Sequence, residues 1–177
     1  IEIGVVRMNY NFDEIIDRKN TNSIKYDFAV ERGMPEDVIP LWVADMDFKT
    51  PPAVIEALVK TAQHGIFGYS DNKKEYFEAV CNWYSTRFNW RVQKEWIVKT
   101  PGVVFGIAAA VRALTEKGDA VMIQQPVYYP FSELILTNGR QLINNPLVYK
   151  EGKYYMDFND FEEKIKEYKV KLFILCS

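Results

Sequence analysis

The second half of the sequence alternates between helix-like and strand-like segments, which limits the chain to a small set of folds. Helical segments keep apolar residues three and four positions apart, whereas strand segments are short apolar runs bounded by turn residues. This order is typical of α/β proteins, in which a mostly parallel sheet lies between helix layers. The predicted order is helix 103–116, strand 120–124, helix 130–137, strand 142–143, a polar hairpin through Gly152, helix 160–168 and strand 172–175.

The first hundred residues are predicted to contain two amphipathic helices and two short apolar runs. Thr50 is the predicted N-cap of a helix that ends near His64, and a second helix follows residues 70–72. Residues 39–44 form an apolar run that approaches a turn, and residues 96–99 are predicted as a short β-rich run.

On this pattern the chain divides into residues 1–50, an N-terminal arm with part of a small domain, and residues 51–177, the first part of a large domain. Residues 1–7 precede Met8 without a clear period, and the sequence leaves open whether they are an upstream extension or an added segment. The chain stops just after the strand at 172–175. Since strand-end loops build ligand sites in open α/β sheets, we expect it to stop where function concentrates.

The composition excludes several classes of partner. The chain has 22 basic and 24 acidic residues, interspersed along its length, which argues against nucleic acid and anionic membranes. Its apolar stretches fall short of a membrane span and no signal segment opens it, so a cytoplasmic location is predicted. Cys81 and Cys176 fit neither a disulfide framework nor a zinc site and are predicted to be buried free thiols.

Two turns are candidates for binding a planar anionic ligand. Gly102, Val103 and Val104 open the apolar helix, and a helix N-terminus offers unpaired N–H groups that suit a phosphate. Tyr128 lies in the loop after the strand at 120–124, where its ring could stack on a planar cofactor. Each feature alone is equally explained by structure, as the start of a buried helix and as a packing aromatic.

Other polar residues are assigned structural roles. Asp45 and Asp47 form a carboxylate pair, but two acids without a third ligand are more often turn formers than a metal site. His64 is the only histidine and is predicted to mark a helix end. Lys99, beside the Gly102 turn, is predicted to be an ordinary surface residue.

Taken together, the motifs resemble the fold type I pyridoxal-phosphate (PLP) enzymes, aminotransferase class I/II. Residues 41–48 (LWVADMDF), 64–69 (HGIFGY) and 100–104 (TPGVV) are similar to the MalY/PatB subgroup of cystathionine β-lyase-like enzymes. The resemblance covers residues 10–177, the N-terminal part of such an enzyme. It implies a PLP-dependent transferase-like fold of three αβα layers with a mixed, mostly parallel sheet, incomplete in this chain.

The resemblance also implies roles for individual residues. The cofactor phosphate would lie on the backbone of Gly102, Val103 and Val104, and Tyr128 would stack on its ring. Tyr69 would reach the phosphate of a neighbouring subunit, which implies a homodimer with shared active sites. The turn at Ala44 and Asp45 would line the substrate side. The Schiff-base lysine, and hence the catalytic residue, is expected beyond Ser177, so the isolated 177-residue chain is predicted to be inactive.

The function implied is α,β-elimination on L-cystathionine or L-cysteine-like amino acids, which releases a thiol, pyruvate and ammonia. An aminotransferase on the same fold is the first alternative, because the phosphate turn and the stacking aromatic are common to both. A non-catalytic regulator or an inactive fragment is the second.

Overall fold

The computed structural model describes residues 10–176. The expectations for residues 1–7 and for Ser177 concern residues outside this described part. The chain forms two compact units that divide between Ser70 and Asp71. The predicted domain boundary after Thr50 concerns a complete fold and stays a prediction.

In the first unit, residues 10–70 form extended and turn segments and one long helix. A 3-10 turn covers Val30–Arg32 and ends at Gly33 in the left-handed region. Helix α1 covers Pro52–His64 and ends at Gly65, whose φ of 74° closes the last turn, so the prediction that His64 marks a helix end is confirmed. The prediction that Thr50 caps this helix is wrong: the N-cap is Pro51, and the fixed φ of Pro52 suits the first helical position.

The described part of the second unit contains four α-helices and five strands. Residues 96–99 form no strand, which corrects the predicted β-rich run; a 3-10 turn at Lys94–Trp96 precedes extended backbone. A run of four residues is too short for its apolar content alone to distinguish a β-strand from unpaired extended backbone. The helices are α2 (Lys74–Phe88), α3 (Val103–Leu114), α4 (Pro130–Thr137) and α5 (Phe158–Tyr168); the strands are β1 (Ala120–Ile123), β2 (Gln141–Asn144), β3 (Val148–Lys150), β4 (Lys153–Tyr155) and β5 (Leu172–Phe173).

Three parallel strands form the sheet, in the order β2-β1-β5, with β1 in the centre. Val121 pairs with Leu142 on one side and with Leu172 on the other. Strands β3 and β4 form a separate antiparallel hairpin, the polar hairpin that the sequence predicts. Chain order and strand order differ because the chain crosses from one side of β1 to the other between β2 and β5.

Helices cover both faces of this sheet, because successive side chains of β1 point to opposite sides. Val121 and Ile123 pack with Val111 of α3 and with side chains of α4 in one buried cluster. Ala120 and Met122 pack on the other face, with Phe161 and Ile165 of α5 against them. The second unit therefore has the predicted αβα layers.

Local signals explain the ends of the helices in this unit. The carboxylate of Asp157 accepts hydrogen bonds from the N–H groups of Asn159 and Asp160, so α5 begins at Phe158, before the predicted start. Helix α4 begins at Pro130 and ends at Thr137, as predicted.

Much apolar surface lies outside these clusters. Neither α1 nor α2 has a fully buried residue, and Cys81 is only half-buried while Cys176 is exposed, which corrects the prediction of buried thiols. Val111 is the one fully buried residue of α3. Among the described helices, none has the length and apolar content needed to cross a membrane.

The packing of α4 predicts that alanine substitutions at two adjacent residues lower the free energy of unfolding by different amounts. Ile135 is completely buried against the sheet, whereas Leu136 is 57% exposed. We expect Ile135→Ala to lower the free energy of unfolding by about 2–5 kcal/mol, because it leaves a cavity in a packed core. Leu136→Ala is the control and should change it far less. Urea unfolding measures both, and equal losses would contradict the described packing.

Candidate functional site

Helix α3 begins at a turn that only glycine adopts readily. Gly102 is the N-cap, with φ 125° and ψ 162°, a region in which side-chain-bearing residues are strained. The first helical hydrogen bond runs from the N–H of Gly106 to the carbonyl of Gly102 at 3.1 Å. By helix geometry, the N–H groups of Val103, Val104 and the next residue lie ahead of this ladder.

This helix start is open to a ligand. No side chain of the described residues caps α3; the hydroxyl of Thr100 instead donates to the carbonyl of Gly102 at 2.9 Å. A Cβ added to Gly102 would meet nothing within 4 Å, and Val103 is 76% exposed. Unpartnered N–H groups and the positive end of the helix dipole favour an anion at such a position.

The loop after β1 carries the candidate aromatic residue. The N–H of Gln125 donates to the side-chain oxygen of Asn144 at 3.0 Å, and the carbonyl of Gln125 accepts from the N–H of Leu147 at 2.8 Å, so the loop is tied to the end of β2. Tyr128 packs edge-on against Phe131, with ring centroids 5.6 Å apart. It remains 50% exposed, which leaves ring surface for a ligand.

One groove between α3 and α4 is lined by a residue close in sequence to each of these two features. Val104, two residues after Gly102, and Pro130, two residues after Tyr128, both line it. The remaining lining includes the apolar side chains of Phe105 and Leu134. The first turn of α3 and the first residue of α4 therefore lie along the same groove.

A buried polar network at the ends of β1 and β2, which was not predicted from the sequence, supports the aromatic loop. Asn145 is completely buried; its side chain accepts from Gln124 at 2.6 Å and donates to the carboxylate of Asp160 at 2.7 Å. The hydrogen bond from Asn145, followed by that from Lys164, lowers the pKa of Asp160. The two asparagines that follow the predicted strand 142–143 were the available signal, since a buried amide requires hydrogen-bond partners.

In the first unit, Asp45 and Asp47 are paired with cationic side chains that were not predicted from the sequence. Arg18 donates to both oxygens of Asp45, at 3.0 and 2.8 Å, and to Asp47 at 2.8 Å. Lys25 donates to the carbonyl of Asp45 at 2.7 Å and lies 3.4 Å from Asp47. These contacts join residues that are at least twenty positions apart, so no local pattern indicates them.

The charges in this group shift each other's protonation. The hydrogen bonds from Arg18 lower the pKa of both Asp45 and Asp47. The same bonds raise the pKa of Arg18 above its already high ordinary value. Burial, followed by a hydrogen bond to Asp47, raises the pKa of Tyr26, over whose ring the Arg18 guanidinium lies at 5.3 Å.

Three of the other predicted residues, Ala44, Tyr69 and Lys99, lie on the surface. Ala44 is exposed and Asp45 is partly buried, both in the first unit. Tyr69 is fully exposed in the same unit. Lys99 is exposed, as predicted, and its ammonium pairs with Asp71 at 2.5 Å, which lowers the pKa of that carboxyl.

Comparison with known proteins decides the family. Residues 36–177 match the family model described as aminotransferase class I and II. The chain belongs to this family. Among curated aminotransferase-like relatives, it is 46% identical over 167 residues to cystathionine beta-lyase PatB of Bacillus subtilis strain 168, with 94% of this chain and 43% of that protein covered. It is 30% identical over 169 residues to protein MalY of Escherichia coli K12, with 95% and 43% covered.

Solved structures of the family agree with this fold. A PLP-bound putative aminotransferase from Clostridium difficile 630 matches with a TM-score of 0.88 and 44% identity, over 96% of this chain and 43% of that one. Cystalysin from Treponema denticola matches with a TM-score of 0.85 and 40% identity, over 96% and 44%. The predicted fold class and the resemblance to the subgroup are confirmed. The chain spans less than half the length of these relatives.

The conformation of Gly102 predicts opposite effects for two glycines of the same helix. We expect Gly102→Ala to destabilise the second unit by about 1–3 kcal/mol, because its backbone conformation strains any residue with a Cβ. Gly106→Ala is the matched control: its Cβ would lie 3.4 Å from the Thr100 hydroxyl, an ordinary contact. It should be neutral or stabilise the helix by up to about 1 kcal/mol. Thermal unfolding checks both signs, and equal tolerance of the two alanines would contradict the described turn.

Proposed function

We propose that the protein carrying this chain is a PLP-dependent carbon–sulfur β-lyase of the cystathionine β-lyase type, acting on L-cystathionine or L-cysteine-like amino acids. One observation carries the proposal: the uncapped helix start at Gly102 and the exposed aromatic loop of Tyr128 lead into two helices, α3 and α4, that line one groove. The names of its relatives, cystathionine beta-lyase and cystalysin, favour elimination over other reactions of the fold.

The residues present fit pyridoxal 5′-phosphate. The phosphate is a dianion, and the N–H groups of Val103 and Val104 with the open space at Gly102 suit it. The pyridine ring is planar, and stacking on Tyr128 would add about 0.5–1.5 kcal/mol beyond the buried area. When bound, the cofactor supplies an electron sink for carbanion chemistry at the amino acid's α carbon.

In this scheme the chain's own residues hold the cofactor and orient it and the substrate. The backbone of residues 102–104 fixes the phosphate, and Tyr128 fixes the plane of the ring. The turn at Ala44 and Asp45 lines the substrate side. We assign proton transfer to no described residue of this chain.

The assembly and the location are part of the same proposal. Tyr69 is fully exposed in the isolated chain. A side chain that completes the active site of a second copy must be exposed in this way, so the exposure of Tyr69 supports a homodimer with shared active sites. Two free thiols and a nearly balanced charge support a cytoplasmic protein.

Transamination is the second candidate, favoured by the family match to aminotransferases. The helix start and the stacking aromatic serve either reaction, because both hold only the cofactor. The substrate-side residues decide between them, and products distinguish them directly.

Product analysis tests the proposal. With the intact protein that carries these 177 residues and added PLP, we expect L-cystathionine to give pyruvate, ammonia and a thiol without any keto-acid acceptor. A lactate dehydrogenase-coupled assay measures the pyruvate. Turnover only with a keto acid, with a new amino acid as product, would support the transaminase instead, and no turnover with either would contradict both.

Variants of the tyrosine pair test the cofactor site separately. Tyr128→Ala should weaken PLP binding at least about tenfold, through lost stacking and buried area, whereas Tyr128→Phe keeps the ring and should bind nearly as the parent does. Tyr129→Ala is the control, because it removes the neighbouring exposed ring. Equal weakening by both alanines would contradict the role of Tyr128.

A further inference from the structure

Four charged residues of the first unit form a group that we name the Arg18 cluster: Arg18, Lys25, Asp45 and Asp47. Arg18 holds the Asp45 carboxylate with two parallel hydrogen bonds, one from each terminal nitrogen. One of these nitrogens, Nη1, also donates to the Asp47 carboxylate. Such two-pronged contacts fix direction as well as distance, because the guanidinium and the carboxylate are both planar. A single guanidinium group therefore binds both aspartates of the LWVADMDF segment.

Lys25 holds the backbone of the same segment. The residue is only 4% exposed, and its ammonium donates to the carbonyl of Asp45 at 2.7 Å. A buried ammonium is costly unless it is paired, so this contact and the nearby Asp47 carboxylate compensate its burial. The position of the Asp45 carbonyl is thus set by a side chain with little freedom to move.

The turn that precedes Asp45 is strained. Val43 has a φ of 66°, in the left-handed region that β-branched residues rarely adopt. The N–H of Asp45 donates to the carbonyl of Val43 at 2.8 Å, so Ala44 is the centre of a tight three-residue turn. A turn in such a conformation persists only where its surroundings hold it, and the Arg18 cluster supplies that hold.

The cluster also balances charge. Arg18 and Lys25 carry two positive charges, and Asp45 and Asp47 carry two negative ones. Every amino-acid substrate carries a carboxylate, which an unneutralised aspartate beside it would repel. With both acids paired, the turn can receive an anionic group.

We propose that Arg18 is a positioning residue for amino-acid binding, which holds the Ala44 turn in shape and neutralises Asp45 and Asp47 beside the substrate's carboxylate. This inference rests on the proposed function, which puts that turn on the substrate side. Arg18 touches neither the substrate nor the cofactor in this scheme and acts through the turn. Its loss therefore affects substrate affinity more than the chemical step.

Steady-state kinetics of the intact holoenzyme test this split. Arg18→Gln should raise KM for the amino-acid substrate about tenfold or more, with kcat within about twofold, because a net negative charge and a looser turn weaken binding. Arg18→Lys keeps the charge but loses the planar fork, and should recover a large part of the affinity. Lys19→Gln is the matched control, since it removes a neighbouring exposed positive charge and should leave both constants unchanged.

Hydrogen exchange provides a readout that needs no activity. In Arg18→Gln, the backbone amides of residues 43–47 should exchange faster, while those of β1 keep their rates. If the parent protein turns over no amino acid, the proposed function fails and this exchange measurement alone decides whether Arg18 holds the turn. An unchanged KM with unchanged exchange, or a fall in kcat alone, would overturn the inference. If Arg18→Gln does not fold, Asp47→Asn, which removes one charged partner of Arg18, must still speed exchange at residues 43–47, and unchanged rates would overturn the inference.

Discussion

Strand β1 is buried along its whole length, and the rest of the second unit depends on this one strand. Its side chains alternate between two helix layers, with Val121 and Ile123 on one face and Ala120 and Met122 on the other. Its backbone pairs with β2 and β5 on either side. Because both faces and both edges of β1 are occupied, the loop that leaves its carboxyl end has a fixed origin. That loop carries Tyr128.

The two candidate sites use polar groups in opposite ways. At the start of α3, N–H groups lie ahead of the helical ladder without a capping side chain, which leaves donors for an anion. In the Arg18 cluster, the two positive and two negative side chains are already paired with one another. The first arrangement can hold a dianionic group, whereas the second stabilises a strained turn and adds no net charge to its surroundings.

The sequence predicts what depends on neighbouring residues and misses what depends on distant ones. Helix α4 was predicted from Pro130 to Thr137 because proline and Asn138 mark its ends locally. Thr50 carried the same kind of signal, but the Pro51–Pro52 pair moved the helix start past it. Arg18 was missed because its partners lie 27 and 29 residues away, and nothing local marks an arginine that will fold onto them.

The most direct test of this account is a crystal structure of the intact protein with pyridoxal 5′-phosphate. We expect the phosphate oxygens within about 2.7–3.2 Å of the backbone nitrogens of Val103 and Val104, with the pyridine ring stacked on Tyr128. A phosphate bound elsewhere, or a ring that leaves Tyr128 exposed to solvent, would contradict the assignment of the cofactor site.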